Sequence, residues 1–350
     1  MAGRTTAPSP GSSAATATGA STAGGIAGRP SGPDPWRLPP DGDRHPSMGA
    51  SSNPWPPRDI ISLERIAPIK GKRAWTHRLP TCLRTGRRRA GQLSRSLDTR
   101  GFARVPRHEF LAPGPWYFNE HWDATPSDDP ALVYQDVGMG LAPELGIPTG
   151  LPSLHARCLA ACAPRVGDRV VHIGAGSGYY TAILAELVGE AGRVNAFEID
   201  ADLAAKAREN LRRWPWAHVE PASGAHATLG DADLIYVNAG VQQPPLAWLD
   251  ALRPRGRLVF PLTPGEGEGG MLLVRHVGST QVFSAEFLCR ARFIRCVGTE
   301  DEETGRRLAE AFASGNHGSV RSLRLLHAET PDGSAWVSGR GWWLSTSGPQ

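Results

Sequence analysis

Between residues 153 and 261, short apolar runs alternate with stretches in which apolar residues recur at helical spacing. The runs predict four buried strands, over residues 169–173, 194–199, 234–237 and 257–261. The helical stretches predict helices over residues 153–163, 179–188, 201–214 and 246–252, the first N-capped by Ser153 and the third by Asp200. Alternating strands and helices are typical of right-handed βαβ units, so we expect a parallel sheet with helices on both faces.

After residue 270 the pattern changes, and strands follow one another with little between them. Short strands are predicted over 271–276, 281–289 and 293–297, followed by a helix over 301–314 and two strand-like segments ending near Leu344. The sequence therefore predicts an α/β fold with a mostly parallel, doubly wound sheet, an antiparallel edge and a small C-terminal extension.

The N-terminal part of the 350-residue chain lacks any such pattern. Residues 1–95 are rich in Gly, Pro and Ser and then in Arg, which predicts a disordered leader before a folded core over 96–265 and an extension over 266–350. No run approaches the roughly 20 apolar residues of a membrane span, and no secretory signal pattern is visible. We therefore predict a cytoplasmic protein.

Charge and cysteine content narrow the classes of partner. The net charge is +4, with a basic run over residues 65–107. Such a run can bind nucleic acid, but its arginine bias is also typical of a GC-rich coding sequence, so we expect no nucleic-acid partner. The five cysteines form no CxxC pair, which gives no support for a metal site and favours reduced, buried thiols.

A glycine-rich turn joins the first predicted strand to the next helix. Gly174, Gly176 and Gly178 permit a tight turn and close approach of a ligand to the backbone at the positive end of a helix. The spacing is GxGxG rather than the GxGxxG of dinucleotide enzymes, and Glu198 ends the second strand, where it could accept hydrogen bonds from ribose hydroxyls. A nucleoside without a pyrophosphate fits best, with S-adenosylmethionine as the obvious candidate; a dinucleotide cofactor, or a turn that only packs helix on strand, remains an alternative.

Several segments in order resemble one enzyme family. They are VPRHEF (105–110), GLPSLHA (150–156), the cofactor loop at 170–180 and LRPRGRLVFP (252–261). Between residue 105 and about residue 264 the chain resembles the protein-L-isoaspartate (D-aspartate) O-methyltransferase family. The resemblance implies a Rossmann-like class I fold that depends on S-adenosylmethionine. It also implies carboxyl methylation of L-isoaspartyl residues in damaged proteins, which is a repair reaction.

The resemblance also implies a substrate loop, and here the chain departs from the usual pattern. Typical members read T-I-S-x-P at the helix start, with the Ser assigned to the active site, whereas this chain has Gly150 at the matching position. Thr149 and Ser153 are the nearest hydroxyls, so these three residues are the candidate catalytic positions. Pro152 of the same segment is expected on the cofactor side. A serine introduced at position 150 is expected to preserve or raise transfer to isoaspartyl peptides.

Further departures concern the cofactor. His172 stands where an acidic residue is usual, Ser223–Gly224 stand where family members carry Asp-Gly for the adenosine part, and Asn238 begins the loop after the third strand. All four are candidate cofactor-binding residues. The departures leave two alternatives open: a specialised carboxyl methyltransferase for a particular peptide or small acid, and a non-catalytic protein that binds S-adenosylmethionine.

The expected reaction makes few chemical demands on the protein. An isoaspartyl carboxylate, with a pKa near 4, is ionised at neutral pH and needs alignment and loss of water rather than a general base. The loop that begins at Asn238 lacks the Asn/Asp-Pro-Pro-aromatic pattern of enzymes that methylate nucleobase amino groups. A carboxyl substrate is therefore favoured over DNA.

Overall fold

The computed structural model describes residues 100–118, 122–278 and 282–349. Its α-helices are α1 (Arg100–Arg104), α2 (Pro152–Cys162), α3 (Tyr179–Val188), α4 (Ala201–Asn210), α5 (Leu246–Asp250) and α6 (Glu302–Ser314). Four short strands precede the main sheet: β1 (Tyr117–Phe118), β2 (Asp123–Ala124), β3 (Gly140–Ala142) and β4 (Ile147–Pro148). The remaining strands are β5 (Arg169–Ile173), β6 (Arg193–Glu198), β7 (Ala217–Pro221), β8 (Ala232–Val237), β9 (Leu252–Leu262), β10 (Gly269–Val277), β11 (Val282–Ala291), β12 (Ser322–Leu325), β13 (Ala335–Ser338) and β14 (Trp342–Ser345). The predicted leader and Cys82 lie outside the described residues.

One ten-stranded sheet organises the fold, in the order β13-β14-β12-β11-β10-β9-β8-β5-β6-β7. The five strands from β9 to β7 pair in parallel, whereas every pairing from β9 to β13 is antiparallel. The predicted Rossmann-like sheet with an antiparallel edge is confirmed, and the antiparallel part contains as many strands as the parallel part.

Two hydrophobic clusters cover the two faces of this sheet. One includes buried residues of α2, α3 and α4, such as Leu159, Ile183 and Ala204. The other includes residues of α5 and α6, such as Trp248 and Leu308. This two-sided burial explains why the parallel strands read as nearly continuous apolar runs in the sequence. Among the described residues, no helix has the length and apolar character needed to cross a membrane.

The order of the parallel strands creates a crevice next to β5. The chain runs from β5 through β6 to β7 on one side and then returns to place β8 on the other side of β5. Ligands of open α/β sheets bind at such a switch point, beyond the carboxyl ends of the strands. The glycine-rich turn that follows β5 lies at this end.

Local predictions succeeded where helix and strand signals were strong. The bounds of β5 and α3 agree with the sequence prediction, and Asp200 caps α4 by accepting a hydrogen bond from Leu203 N at 2.8 Å. The predicted strand over 293–297 is wrong, because this segment makes only an isolated bridge between Gly240 and Arg295. Strand β7 was missed, and the C-terminal region has three strands rather than two. The four described cysteines form no disulfide, and Cys158 and Cys162 are buried on α2.

Candidate functional site

The turn after β5 depends on glycine. Gly174, Gly176 and Gly178 have φ angles of +78°, +55° and +93°, in the left-handed region that side chains disfavour. A Cβ atom at Gly178 would also press on Leu211 at 3.3 Å, so this glycine lets α3 begin close to the segment after α4. The three glycines therefore set both the path of the turn and the position of α3.

Glu198, the last residue of β6, faces this turn. Its Oε2 accepts a hydrogen bond from Gly176 N at 2.6 Å, and its Oε1 accepts one from Asp200 N at 3.1 Å. The residue is 7% exposed, and burial raises its pKa while the two amide donors oppose that shift. The structure thus brings together the acid and the glycines that the sequence analysis singled out, and places the carboxylate at the carboxyl edge of the sheet.

His172 and Asn238 form a pair behind the turn. His172 is fully buried in β5, with Nδ1 2.8 Å from Thr181 Oγ1, and Asn238 Nδ2 donates to its Nε2 at 2.9 Å. Burial lowers the pKa of His172 to about 3, so the ring is neutral. Asn238 Oδ1 is buried and has no hydrogen-bond partner among the described residues. His172 therefore holds Asn238 rather than reaching the crevice, and the side-chain oxygen of Asn238 is left without a donor from the described residues.

The buried histidines make stability depend on pH. The pKa values of His172 and His155 are both lowered from 6.5 to about 3. The stability that the two neutral rings give the folded protein is therefore fully present above pH 6.5 and is lost as the pH falls towards 3. We expect the urea midpoint to fall between pH 7 and pH 5.5, with each ring contributing up to about 1.4 kcal/mol per pH unit. His172→Gln should roughly halve this slope, and an unchanged midpoint of the wild type across this range would contradict the assignment.

The loop after β7 packs against the end of β5. A Cβ atom at Gly224 would lie 2.7 Å from Ile173 Cγ1, and Gly224 O accepts a hydrogen bond from Trp248 Nε1 at 3.0 Å. Ser223 Oγ donates to Val297 O at 3.2 Å. Gly224 therefore permits close packing on the end of β5, while the Ser223 hydroxyl is directed to the C-terminal region.

Ile199 adds an apolar surface that sequence reasoning missed. It directly follows Glu198, and it is 54% exposed although it is a large aliphatic residue. Exposed apolar groups beside a polar crevice are typical of ligand sites. Its position after the strand-ending acid is the signal that could have identified it.

The predicted substrate loop is held by a buried arginine. Arg107 is 2% exposed; its Nη1 donates to Val133 O and Gln135 O, both at 2.8 Å. Its Nη2 donates to Val137 O at 2.7 Å and to Thr149 Oγ1 at 3.0 Å. The Thr149 hydroxyl is therefore committed to the protein, and the guanidinium ties the segment before β3 to the loop that begins α2.

The start of α2 differs from the prediction. Ser153 is not the N-cap: Leu151 occupies that position, and Pro152 begins the helix. Ser153 N donates to Asp136 Oδ1 at 2.8 Å, so a carboxylate from a distant loop satisfies the helix terminus. Sequence reasoning missed Asp136 because it lies in an irregular segment whose partner is set by the tertiary fold.

Gly150 lies next to a histidine side chain. Its φ is +78°, and a Cβ atom there would be 2.6 Å from His155 Nε2. A serine at position 150 would therefore need both a left-handed backbone and part of the space that the imidazole fills. That Gly150→Ser preserves or raises methyl transfer stays a prediction.

A pair of glycine variants can separate these two costs. Gly150→Ala should lower the free energy of unfolding by more than Gly146→Ala, measured by urea denaturation. Gly146 is also left-handed, at φ +68°, but its Cβ position has nothing within 4 Å, so only the backbone cost of about 1 to 3 kcal/mol applies there. Equal losses would show that His155 moves away freely.

Comparison with known proteins agrees with this geometry. The family model of protein-L-isoaspartate(D-aspartate) O-methyltransferase (PCMT) matches residues 120–301, which is more than half of the chain. The chain belongs to this family. The matched range includes the glycine-rich turn, Glu198 and the loop at Gly150.

Individual members of the family align over about half of the chain. The protein-L-isoaspartate O-methyltransferase of Aeropyrum pernix is 31% identical over 185 residues, which cover 50% of this chain and 63% of that protein. The Bradyrhizobium sp. (strain BTAi1) protein of the same name is 32% identical and covers 55% of this chain and 82% of its own length. A solved protein-L-isoaspartate O-methyltransferase structure superimposes with a TM-score of 0.49 at 23% identity, covering 65% of this chain and 68% of that one.

Proposed function

We propose that the chain is an S-adenosylmethionine-dependent carboxyl O-methyltransferase that acts on L-isoaspartyl residues of damaged proteins. The observation that supports this proposal most strongly is the Glu198 carboxylate, buried against the glycine-rich turn at the switch point of the sheet. Family membership supports the reaction class, and the relatives from Aeropyrum pernix and Bradyrhizobium sp. are both named protein-L-isoaspartate O-methyltransferase.

The residues present suit the cofactor. Glu198 would accept hydrogen bonds from the ribose hydroxyls and Ile199 would contact the adenine, while the unpaired Asn238 Oδ1 would accept a hydrogen bond from the ammonium group of the methionine part. Gly174 and Gly176 let the turn pass close to Asn238 and Leu141, where a side chain would not fit. When bound, S-adenosylmethionine supplies an electrophilic methyl group on a sulfonium.

The protein's own contribution is alignment and exclusion of water. The substrate carboxylate is already the nucleophile at neutral pH, so no base is required. The loop at residues 149–153, tied down by Arg107 and Asp136, would hold that carboxylate in line with the methyl group. His155 beside the loop and His172 behind the glycine-rich turn are both neutral and add no competing charge.

A specific feature favours a second candidate, a carboxyl methyltransferase with a narrower peptide substrate. Gly150 and the adjacent His155 ring shape the substrate loop differently from the serine of typical members. Transfer to one defined aspartyl or isoaspartyl peptide would follow from such a change. A cytoplasmic location and the absence of a nucleic-acid partner remain predictions.

Labelled transfer tests the proposal directly. Purified full-length protein is incubated with methyl-labelled S-adenosylmethionine and either an isoaspartyl peptide or its aspartyl twin. Base-labile label on the isoaspartyl peptide alone is the expected result. Label on the aspartyl peptide alone would favour the second candidate, and cofactor binding without transfer to either peptide would contradict an enzymatic role.

A further inference from the structure

His155 lies under the substrate loop without an evident structural partner for one of its nitrogens. Its Nε2 is directed at Gly150, 2.6 Å from where a Cβ atom would be, and has no hydrogen-bond partner among the described residues. Typical family members have a serine at the position that matches Gly150, as the resemblance to the T-I-S-x-P segment implies. The imidazole edge therefore reaches the place from which a residue-150 hydroxyl would act.

The hydrogen-bond pattern fixes which nitrogen carries the proton. Tyr236 is fully buried, and its hydroxyl is 3.0 Å from His155 Nδ1, which is its only hydrogen-bond partner among the described residues. If Nδ1 carried the proton, the phenolic hydrogen would be buried without an acceptor, at a cost of about 1 to 3 kcal/mol. Tyr236 therefore donates to Nδ1, and His155 keeps its proton on Nε2, facing Gly150.

The ring is also fixed in orientation and charge. The Tyr180 ring stacks on the imidazole with a centroid distance of 3.7 Å and an interplanar angle of 28°. The Phe293 ring meets it edge-on, with a centroid distance of 6.1 Å. Burial, with smaller contributions from His172 and Arg107, lowers the pKa of His155 to about 3. The group presented to the loop is thus a neutral, oriented N–H donor throughout the neutral pH range.

A second polar group beside His155 also lacks a partner. The Tyr180 hydroxyl is buried and makes no hydrogen bond among the described residues. Buried donors are ordinarily satisfied by protein or ligand. The His155 Nε2 donor beside Gly150 therefore suits an oxygen-rich ligand group, and the ring stacked on it carries a second polar group without a partner.

We propose that His155 contacts the substrate, with Nε2–H donating to the carboxylate oxygen that does not receive the methyl group. This role rests on the proposed carboxyl methyltransferase function. The contact replaces the hydroxyl that this chain lacks at Gly150 and leaves the other oxygen free for alignment with the methyl donor. Ester formation removes the negative charge from the substrate carboxylate, so the hydrogen bond from Nε2–H is strongest before methyl transfer. We therefore expect it to affect KM for the substrate more than kcat.

Two variants of His155 separate the donor from the packing role. His155→Asn keeps an acceptor near the Nδ1 position for Tyr236 and removes the donor at Nε2. His155→Gln extends an amide N–H to about the reach of Nε2. We expect His155→Asn to raise KM for the peptide about tenfold or more, with an unchanged Kd for S-adenosylmethionine, and His155→Gln to recover most of that loss.

Nitrogen-15 NMR of wild-type protein provides a measurement that does not depend on a variant. The imidazole should show the Nε2–H tautomer, and its Nε2 resonance should shift when peptide is added to protein saturated with S-adenosylhomocysteine. The Nδ1–H tautomer, or an Nε2 resonance unmoved by bound peptide, would overturn the inference.

The failures of the two proposals are distinguishable. A wild type that methylates the peptide while His155→Asn keeps the same KM overturns the His155 role alone. A wild type that binds the cofactor and transfers methyl to no carboxyl peptide overturns the proposed function, and the His155 role with it.

Discussion

Replacing Glu198 with alanine should weaken the binding of S-adenosylmethionine by about 1 to 3 kcal/mol, which is about a 5- to 150-fold loss of affinity. The carboxylate accepts hydrogen bonds from Gly176 N and Asp200 N, so its removal leaves amides of the turn and of the α4 start without an acceptor. The ribose hydroxyls of the cofactor lose the same acceptor. Calorimetric titration with S-adenosylmethionine measures the change.

An exposed glutamate elsewhere in the chain provides a matched control. Glu190 lies after α3, is exposed and is not part of the crevice, so Glu190→Ala should leave the cofactor affinity unchanged. Thermal unfolding of both variants shows whether the loss comes from the site or from the fold. An unchanged affinity in Glu198→Ala would refute the assigned role of this residue.

The second large effect is expected at Arg107. Replacing it with methionine preserves much of the side-chain volume but leaves three carbonyl oxygens and the Thr149 hydroxyl without their donor. We expect the free energy of unfolding to fall by about 3 to 5 kcal/mol. Methyl transfer should fall as well, because the guanidinium is what joins the segment before β3 to the substrate loop.

Arg104 supplies the control for this prediction. Its side chain is 64% exposed and forms a surface ion pair with Glu186 at 3.3 Å, so Arg104→Met should change stability by about 1 kcal/mol or less. Urea denaturation of the two variants compares them directly. Equal stability of both would show that the buried contacts of Arg107 are not what holds the loop.

The centre of the fold was predictable because its signals are local. Strand β5, the glycine-rich turn and α3 combine an apolar run, three glycines and a helical apolar pattern, and their observed bounds match the prediction. Strand β7 alternates buried and exposed residues over only five positions and ends at Pro221, so its pattern was too short to identify. The strand predicted over 293–297 was wrong because an apolar segment forms a strand only when it pairs with a neighbouring strand, and this one makes only an isolated bridge.

The candidate site was predictable only in part, for a physical reason. Glu198 was found because strand order alone places the ends of adjacent parallel strands together. Arg107 and Asp136 were missed because their partners, Thr149 and Ser153, are brought to them by irregular segments with no periodicity. The restriction at Gly150 was also hidden, since it depends on where the His155 ring lies.

A crystal structure of the protein with S-adenosylhomocysteine tests the central claim most directly. The account predicts that the ribose hydroxyls lie within hydrogen-bond distance of the Glu198 carboxylate and that the methionine ammonium lies within reach of Asn238 Oδ1. A ligand bound elsewhere, or bound at the turn with its ribose away from Glu198, would contradict it.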